Sequence, residues 1–402
     1  MQNIELELAI KLINDSVKMI KEIEEINIED SRDRLLAVDI YAPINQPPFD
    51  RSPLDGYALK SKDTIGASKE NPIKLKVVDE VFAGGYSRKI LGDNEAISIM
   101  TGGKLPEGAD CVIRQENTNY GMDIVEIYEE LKEYNNYCFE GEDIKKGTKL
   151  ISEGEKLNYI HIGIMASMGY KTVSVRRKPR VVLISTGDEL IPLGEPLIEG
   201  KIYDSNRRMI SARLLDYGCE IINTDISSDD LKEIAGKIEM IADNVDLVIT
   251  TGGVSVGKKD LMNEVVKVLG AERVFWRINI KPGTPAIYAI YKELPLLCLS
   301  GNPFAAIATF ELLGKELLHK LTGDKELEQI RVMVAMEDSF LKSSPSRRFI
   351  RGIYKNNKLY IPGEHSSGIL GSMIGCNCLV DIKPGTEKLI RGDKVEIILL
   401  NE

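Results

Sequence analysis

Arg180-Val-Val-Leu-Ile-Ser185 is an apolar run with no polar alternation, and it leads directly into Thr186-Gly-Asp-Glu189. A strand with one wet face alternates with period two, so an unbroken run of this length predicts a strand covered on both faces. Asp246-Leu-Val-Ile-Thr250 and Leu296-Leu-Cys-Leu299 have the same character, and each is followed by a turn of small residues, Thr251-Gly-Gly-Val-Ser-Val-Gly257 and Ser300-Gly-Asn-Pro303. Helical spacing fills the intervals. Arg207 to Tyr217 stops at Gly218, and Leu231, Ile234, Ile238 and Ile241 follow a capping pattern at Ser227 to Asp230. A last helix begins at Pro303 behind Asn302 and ends near Gly323. Alternating strands and helices predict a doubly wound, mainly parallel α/β domain over 178–325.

The flanking sequence changes character. Ile4, Leu8, Leu12, Val17 and Ile20 keep a helical stripe, which predicts an amphipathic helix over 1–26 that packs on the α/β domain. Residues 46–140 are short strands broken by turn residues, as in Ile73-Lys-Leu-Lys-Val-Val78 and Cys111-Val-Ile-Arg114, and predict a β-rich lobe. Residues 27–45 and 141–177 read as an elongated linker region. Residues 326–402 return to short strands with turns at Asn356-Asn357, Pro384-Gly385 and Gly392-Asp393, a pattern expected of a small C-terminal β barrel. The fold class is therefore multidomain α/β plus β.

Composition narrows the function. A formal net charge of -10 over 402 residues leaves no dense basic face for nucleic acid, and no apolar run approaches a membrane span. Six scattered cysteines without a C-x-x-C pattern do not form a disulfide framework, which fits a cytoplasmic protein; three histidines make a zinc site hard to assemble.

In an open parallel sheet the ligand lies beyond the carboxyl ends of the strands, where the three small-residue loops fall. Glycines admit an anion close to the backbone, and the helix after each loop adds free N–H groups. Gly252, Gly253, Ser255 and Gly257, with Ser300, Gly301, Asn302 and Pro303, are thus candidate phosphate-binding positions. Gly252 to Lys258 also matches most of the Walker A phosphate-binding loop of a nucleoside triphosphatase, but Lys259 stands where the metal-binding hydroxyl belongs, which weakens that reading. Asp188, Glu189, Asp229, Asp230 and Asp260 gather at the same loop ends, and hard oxygen ligands suit Mg²⁺ beside a phosphate. Asp229 and Asp230 read equally well as helix caps. Lys281, in Lys281-Pro-Gly-Thr-Pro285, offers a fixed cation to an oxyanion, and Arg347, Arg348 and Arg351 taken alone read as a solvated face.

Together these residues resemble the molybdopterin molybdenumtransferase family, which includes the C-terminal domain of gephyrin. The resemblance covers nearly the whole chain. It rests on Phe49-Asp-Arg-Ser-Pro-Leu-Asp-Gly-Tyr-Ala58, Ile99 to Asp110, Gly141-Glu-Asp-Ile144, Ser185 to Leu190, Ile202-Tyr-Asp-Ser-Asn206, Gly252 to Gly257 with Asp260, and Lys281-Pro-Gly283. It implies a homodimer that binds adenylylated molybdopterin in the α/β cleft and releases AMP in a Mg²⁺-dependent step as molybdenum from molybdate joins the dithiolene. Carried onto matching positions, Asp188, Glu189 and Asp260 hold the metal, Asp229, Asp230 and the glycine loops serve the substrate, and Asp55, Thr101 and Asp143 act from the β lobe and linker across the dimer interface. Lys281, Thr284, Pro285, Arg351, Ser366 and Ser367 would bind molybdate.

The sequence departs from the family pattern at Thr284, where many relatives carry a second lysine, and at Ser300, where proline is common. One missing cation leaves molybdate and tungstate unseparated. Expected partners are the pterin adenylyltransferase and recipient apo-molybdoenzymes. Two rival readings are a scaffold that keeps the fold without the chemistry, as gephyrin clusters a receptor, and an adenylyltransferase, which would need only the α/β domain.

Overall fold

The computed structural model describes residues 1–254 and 261–400, so Ser255, Gly257 and Asp260 lie outside the described residues. The chain divides into two compact units, one of residues 1–25, 33–37 and 174–402, the other of residues 26–32 and 38–173.

A seven-stranded mixed sheet forms the centre of the first unit. Its order is Gln2–Ile4, Glu272–Ile278, Ile287–Tyr291, Leu294–Leu299, Leu247–Thr251, Arg180–Thr186, Glu220–Ser227. The last four strands run parallel to one another, as the apolar runs predict. Side-chain parity divides each central strand between two cores. Val181 and Leu183 pack with Leu214, Phe304 and Leu318 on one face, and Val182 and Ile184 pack with Ile234, Ile238 and Val265 on the other. Both faces are buried, which is why these strands show no alternation.

The sheet is not parallel throughout. Ile287–Tyr291 runs antiparallel to both its neighbours, and a two-residue turn joins it to Leu294–Leu299. Lys292 and Glu293 hold that turn at φ 48 and 71, the doubly positive geometry of a tight hairpin. Asn-Gly or Asp-Gly normally marks such a turn, so a Lys-Glu pair concealed it.

The expected helix over 1–26 is also shorter than its pattern. Gln2–Ile4 is a strand parallel to Glu272–Ile278, and the helix runs only over Leu6–Ser16. It buries Leu6, Ala9 and Ile13, while Leu8 from the anticipated stripe is 39% exposed. Beyond it the chain is extended, and the Ile20 amide donates to the Leu321 carbonyl at 2.8 Å. Tertiary partners override the local period here.

The C-terminal strands close on themselves. Arg331–Met336, Lys394–Leu399, Cys378–Ile382, Arg347–Lys355 and Lys358–Tyr360 form a five-stranded ring, the expected barrel, and Ile280–Lys281 adds in parallel to Arg347–Arg348. Asn356 and Asn357 make its hairpin turn with φ 51 and 60.

The arginines of this barrel are not a solvated face. Arg347 is buried and donates to Asp381 at 2.9 and 2.6 Å, and also to Glu7. Burial alone would raise the Asp381 carboxyl, but hydrogen bonds from Arg347 and Lys383 outweigh it and hold the carboxyl down at about 2.

In the second unit a five-stranded sheet runs in the order Cys111–Arg114, Gly56–Leu59, Glu95–Ile99, Ile73–Val81, Ile124–Ile127. Tyr57 and Leu59 enter one core and Ala58 the other. The helix Tyr159–Ser167 starts at Asn158, which accepts from Ile160 N at 2.9 Å, and His161 accepts from Asn158 N in return. That histidine completes a cap.

Asp381→Ala leaves Arg347 buried with only Glu7 as a carboxylate partner and should cost about 3 kcal/mol at neutral pH. The depressed carboxyl stabilises the fold above its unfolded value near 3.8, and that contribution fades as pH falls towards 2. Urea unfolding of both proteins should show their difference shrinking across that window.

Candidate active site

Register places the carboxyl ends of the parallel strands abreast: Thr186 pairs with Ser227, Ser185 with Thr251, and Thr251 with Leu299. Their loops therefore open on one edge, around a cleft of about 600 Å³. A larger groove, about 1010 Å³, flanks the amino ends of the same strands near Asp246 and Pro295. Size favours the groove, but helix N-termini and glycine loops gather at the carboxyl edge, and those are the features that bind anions.

The backbone comes close at the floor of the cleft. Gly252 has φ 95 and Gly253 φ 64, and a Cβ on Gly252 would stand 2.3 Å from the Thr186 carbonyl oxygen. Gly252 N donates to Leu299 O at 3.1 Å, and the Gly252 Cα lies 3.7 Å from where a Cβ on Gly301 would stand. Ser300, Gly301, Asn302 and Pro303 line the same cleft, with proline in the first turn of the helix Pro303–Thr309. Asn302 occupies the cap position without a side-chain cap bond; a free amide of this helix instead donates from Phe304 to the Ser367 carbonyl at 3.0 Å.

The carboxylates separate into different duties. Glu189 and Asp229 line the cleft. Asp188 is exposed, and its Oδ1 accepts from Asp229 N at 3.1 Å, tying the first loop to the turn after Glu220–Ser227. Asp230 is taken up in capping: its Oδ1 accepts from Lys232 N at 2.8 Å and Glu233 N at 3.0 Å, at the start of Leu231–Ile241. Asp204 caps Ser205–Asp216 and pairs with Arg207 at 3.0 Å. Neither lysine nor arginine is among the described residues that line the cleft, whereas Glu189, Asp204 and Asp229 are.

Of the expected oxyanion residues, Pro285 alone is among the described residues that line this cleft. Gly368, next to Ser367, lines it as well. Lys281 is exposed and pairs through its backbone with Arg348. Thr284 lines a separate cavity of about 350 Å³ and donates its hydroxyl to Ile280 O at 2.5 Å, so that proton is committed to the turn. Arg351 is 1% exposed, stacked 4.2 Å from the Phe304 ring centroid, and donates to Glu364 O at 3.2 Å and Ser366 O at 2.7 Å. It holds the 364–367 segment against the helix that begins at Pro303.

In the second unit Asp55 accepts from the Thr101 amide and hydroxyl, each at 2.7 Å, and these bonds hold its carboxyl below the usual carboxylate range. Asp143 donates its amide to Gln46 O at 3.0 Å. Among the described residues no group of three or more His, Cys, Asp or Glu is arranged to hold a metal. Leu190, Ile202, Tyr203, Ser205 and Asn206 are cleft residues that the site reading omits. The cap at Asp204 was the available signal, since it brings the start of a helix to the same edge.

A glycine-floored, acidic cleft at the carboxyl edge of parallel strands defines an α/β protein whose candidate ligand site lies where the strands end. Residues 4–169 match the MoeA N-terminal region (domain I and II), 182–320 a probable molybdopterin binding domain, and 334–400 the MoeA C-terminal region (domain IV). A molybdopterin molybdenumtransferase of Staphylococcus epidermidis is 35% identical over 395 residues, covering 97% of this chain and 94% of its own. One from Bacillus subtilis is 34% identical over 389 residues, covering 95% and 90%. A crystal structure of a molybdopterin biosynthesis MoeA protein from Pyrococcus horikoshii superposes with a TM-score of 0.87 at 32% identity, covering 100% of both chains. The chain belongs to the MoeA, or molybdopterin molybdenumtransferase, family.

Gly252→Ala should cost about 1–3 kcal/mol, because a Cβ there meets backbone in a left-handed conformation. Gly301→Ala meets only ordinary contact and should change stability by about 0.5 kcal/mol or less. Thermal melting of the two variants checks the difference.

Proposed function

We propose that this protein transfers molybdenum from molybdate into adenylylated molybdopterin, releasing AMP and the finished cofactor. The observation that carries this reading is the acidic, glycine-floored cleft, in a chain that matches its family along nearly its whole length. Glu189 and Asp229 line the cleft with no lysine or arginine among the described lining residues, and such carboxylates repel a pyrophosphate, so the ligand calls for a divalent cation.

Oxygen-only donors suit Mg²⁺, which typically takes one or two protein carboxylates and completes its shell with water and phosphate. Glu189 and Asp229, which line the cleft, would hold it, with Asp188 and Asp260 as further candidates. Bound there, Mg²⁺ would neutralise the charge that builds on the phosphate oxygens as the anhydride breaks. Gly252 and Gly253, with the turn Ser300–Pro303, admit the phosphates close to backbone N–H groups. Ser255 and Gly257 extend the same loop in this assignment. Asp230 contributes through its cap.

Lys281, Pro285, Ser366 and Ser367 would bind the oxyanion, with Arg351 supporting the serine segment from beneath and adding positive charge. Thr284 neither supplies the family's second lysine nor has its hydroxyl proton available, which should weaken oxyanion affinity or shift its specificity. The same reading gives Asp55, Thr101 and Asp143 a part in the reaction from a second copy of the chain in a homodimer. It treats 178–325 as doubly wound, 27–45 with 141–177 as a linker, 46–140 as the β lobe and 326–402 as the barrel domain. It places the enzyme in the cytoplasm, between the pterin adenylyltransferase and apo-molybdoenzymes. Among the described residues no helix is long and apolar enough to cross a membrane.

AMP release from adenylylated molybdopterin with Mg²⁺ should require molybdate or tungstate and should yield a product that reconstitutes an apo-molybdoenzyme. Asp229→Asn should lower the rate about 10- to 1000-fold, while Asp230→Ala should keep turnover and lose about 1 kcal/mol of stability through its cap. A folded protein that releases no AMP with either oxyanion would contradict the assignment and leave a scaffold role.

A further inference from the structure

Tyr203 is the one aromatic side chain among the described residues that line the cleft. It sits in a short flap in which Leu190–Ile191 pairs in parallel with Ile202–Tyr203. The ring is 40% exposed, and its hydroxyl donates to the Glu195 carbonyl at 2.7 Å across the flap. Among the described residues no other ring or cation packs on its face. A phenol anchored at its polar tip, with an open face beside a polar cleft, has lost rotamer freedom in advance and can bind a flat partner at low entropic cost.

The remaining walls cannot do this. Glycines, carboxylates, small hydroxyls and prolines offer hydrogen bonds and close backbone approach, but no second π-face. Leu190 and Ile202 flank the tyrosine and add apolar surface to the same patch. The patch is joined to the carboxylate side, since Ile202 N donates to Glu189 O at 2.8 Å.

We propose that Tyr203 is a specificity-determining residue whose ring stacks on the adenine of the adenylylated substrate. This assignment rests on the proposed function, because the order of groups in that ligand sets which ring arrives here. The dithiolene must meet the oxyanion near Pro285 and Ser367, and the pyrophosphate must meet the carboxylates. The adenosine end then extends past Glu189, along the flap. Base–aromatic stacking needs only a π-face on the ligand, so it separates nucleotide from free pyrophosphate without any hydrogen-bond readout.

Calorimetric titration of the full-length protein with AMP, inorganic pyrophosphate and molybdopterin, each with Mg²⁺, tests the assignment. Tyr203→Leu should weaken AMP about 10-fold or more and leave pyrophosphate and molybdopterin unchanged. Tyr203→Phe keeps the ring, loses only its anchor, and should retain most of the AMP affinity. Equal losses for AMP and pyrophosphate would overturn the proposal, because the residue would then only support the flap. Unchanged AMP with weakened molybdopterin would assign the ring to the pterin and overturn the adenine assignment. A wild-type protein that binds neither AMP nor molybdopterin would remove the functional reading itself, and this assignment with it.

Discussion

Burial of Arg180–Thr186, Leu247–Thr251 and Leu294–Leu299 on both faces is the constraint on which the rest of the structure depends. Val181, Leu183, Leu247 and Leu297 are wholly buried in one core, and Val248 and Cys298 in the other. These three strands run parallel to one another, so their carboxyl ends finish at one edge. Three loops then meet without any one of them being long. Polar side chains begin at that edge, where Ser185 Oγ and Thr251 Oγ1 lie 3.0 Å apart as the strands give way to loops. The functional cleft follows from where the apolar runs stop.

Backbone proximity supplies what side chains do not. Gly252 approaches the Thr186 carbonyl so closely that no Cβ fits between them, and Gly301 lies opposite. The acidic lining, which by itself would repel a phosphorylated ligand, suits the divalent cation proposed to sit between carboxylate and phosphate. The barrel supports the same edge from a distance in sequence. Arg351 fixes the 364–367 segment, whose Ser367 carbonyl satisfies the helix that begins at Pro303. The pairing of Ile280–Lys281 with Arg347–Arg348 attaches the Lys281 loop to the barrel wall. One buried arginine and one short strand pairing thus bring oxyanion candidates from two parts of the chain into a shared frame.

Much of this was legible in the residues, for local reasons. Unbroken apolar runs marked the buried strands, Gly218 and Gly323 marked helix ends, and paired asparagines marked the barrel hairpin. The rest depended on partners far away in sequence. Gln2–Ile4 is a strand because Glu272–Ile278 offers it an edge, and the hairpin at Lys292 and Glu293 carries no glycine to announce its positive φ values. Arg347 reads as a surface charge until Asp381 is seen beside it, and Arg351 until carbonyls of 364 and 366 meet it. Asp229 and Asp230 were indistinguishable as neighbours in the chain. Only the geometry of the cap, which uses Asp230, leaves Asp229 to the cleft.

The central claim is that the cleft binds a phosphorylated ligand through a divalent cation rather than through cationic side chains. It is tested most directly by measuring AMP affinity calorimetrically as Mg²⁺ is titrated at constant ionic strength. The account predicts that affinity rises with Mg²⁺ and collapses with chelator, and that Asp229→Asn removes much of the dependence. AMP affinity that is equal or greater without divalent cation would contradict it.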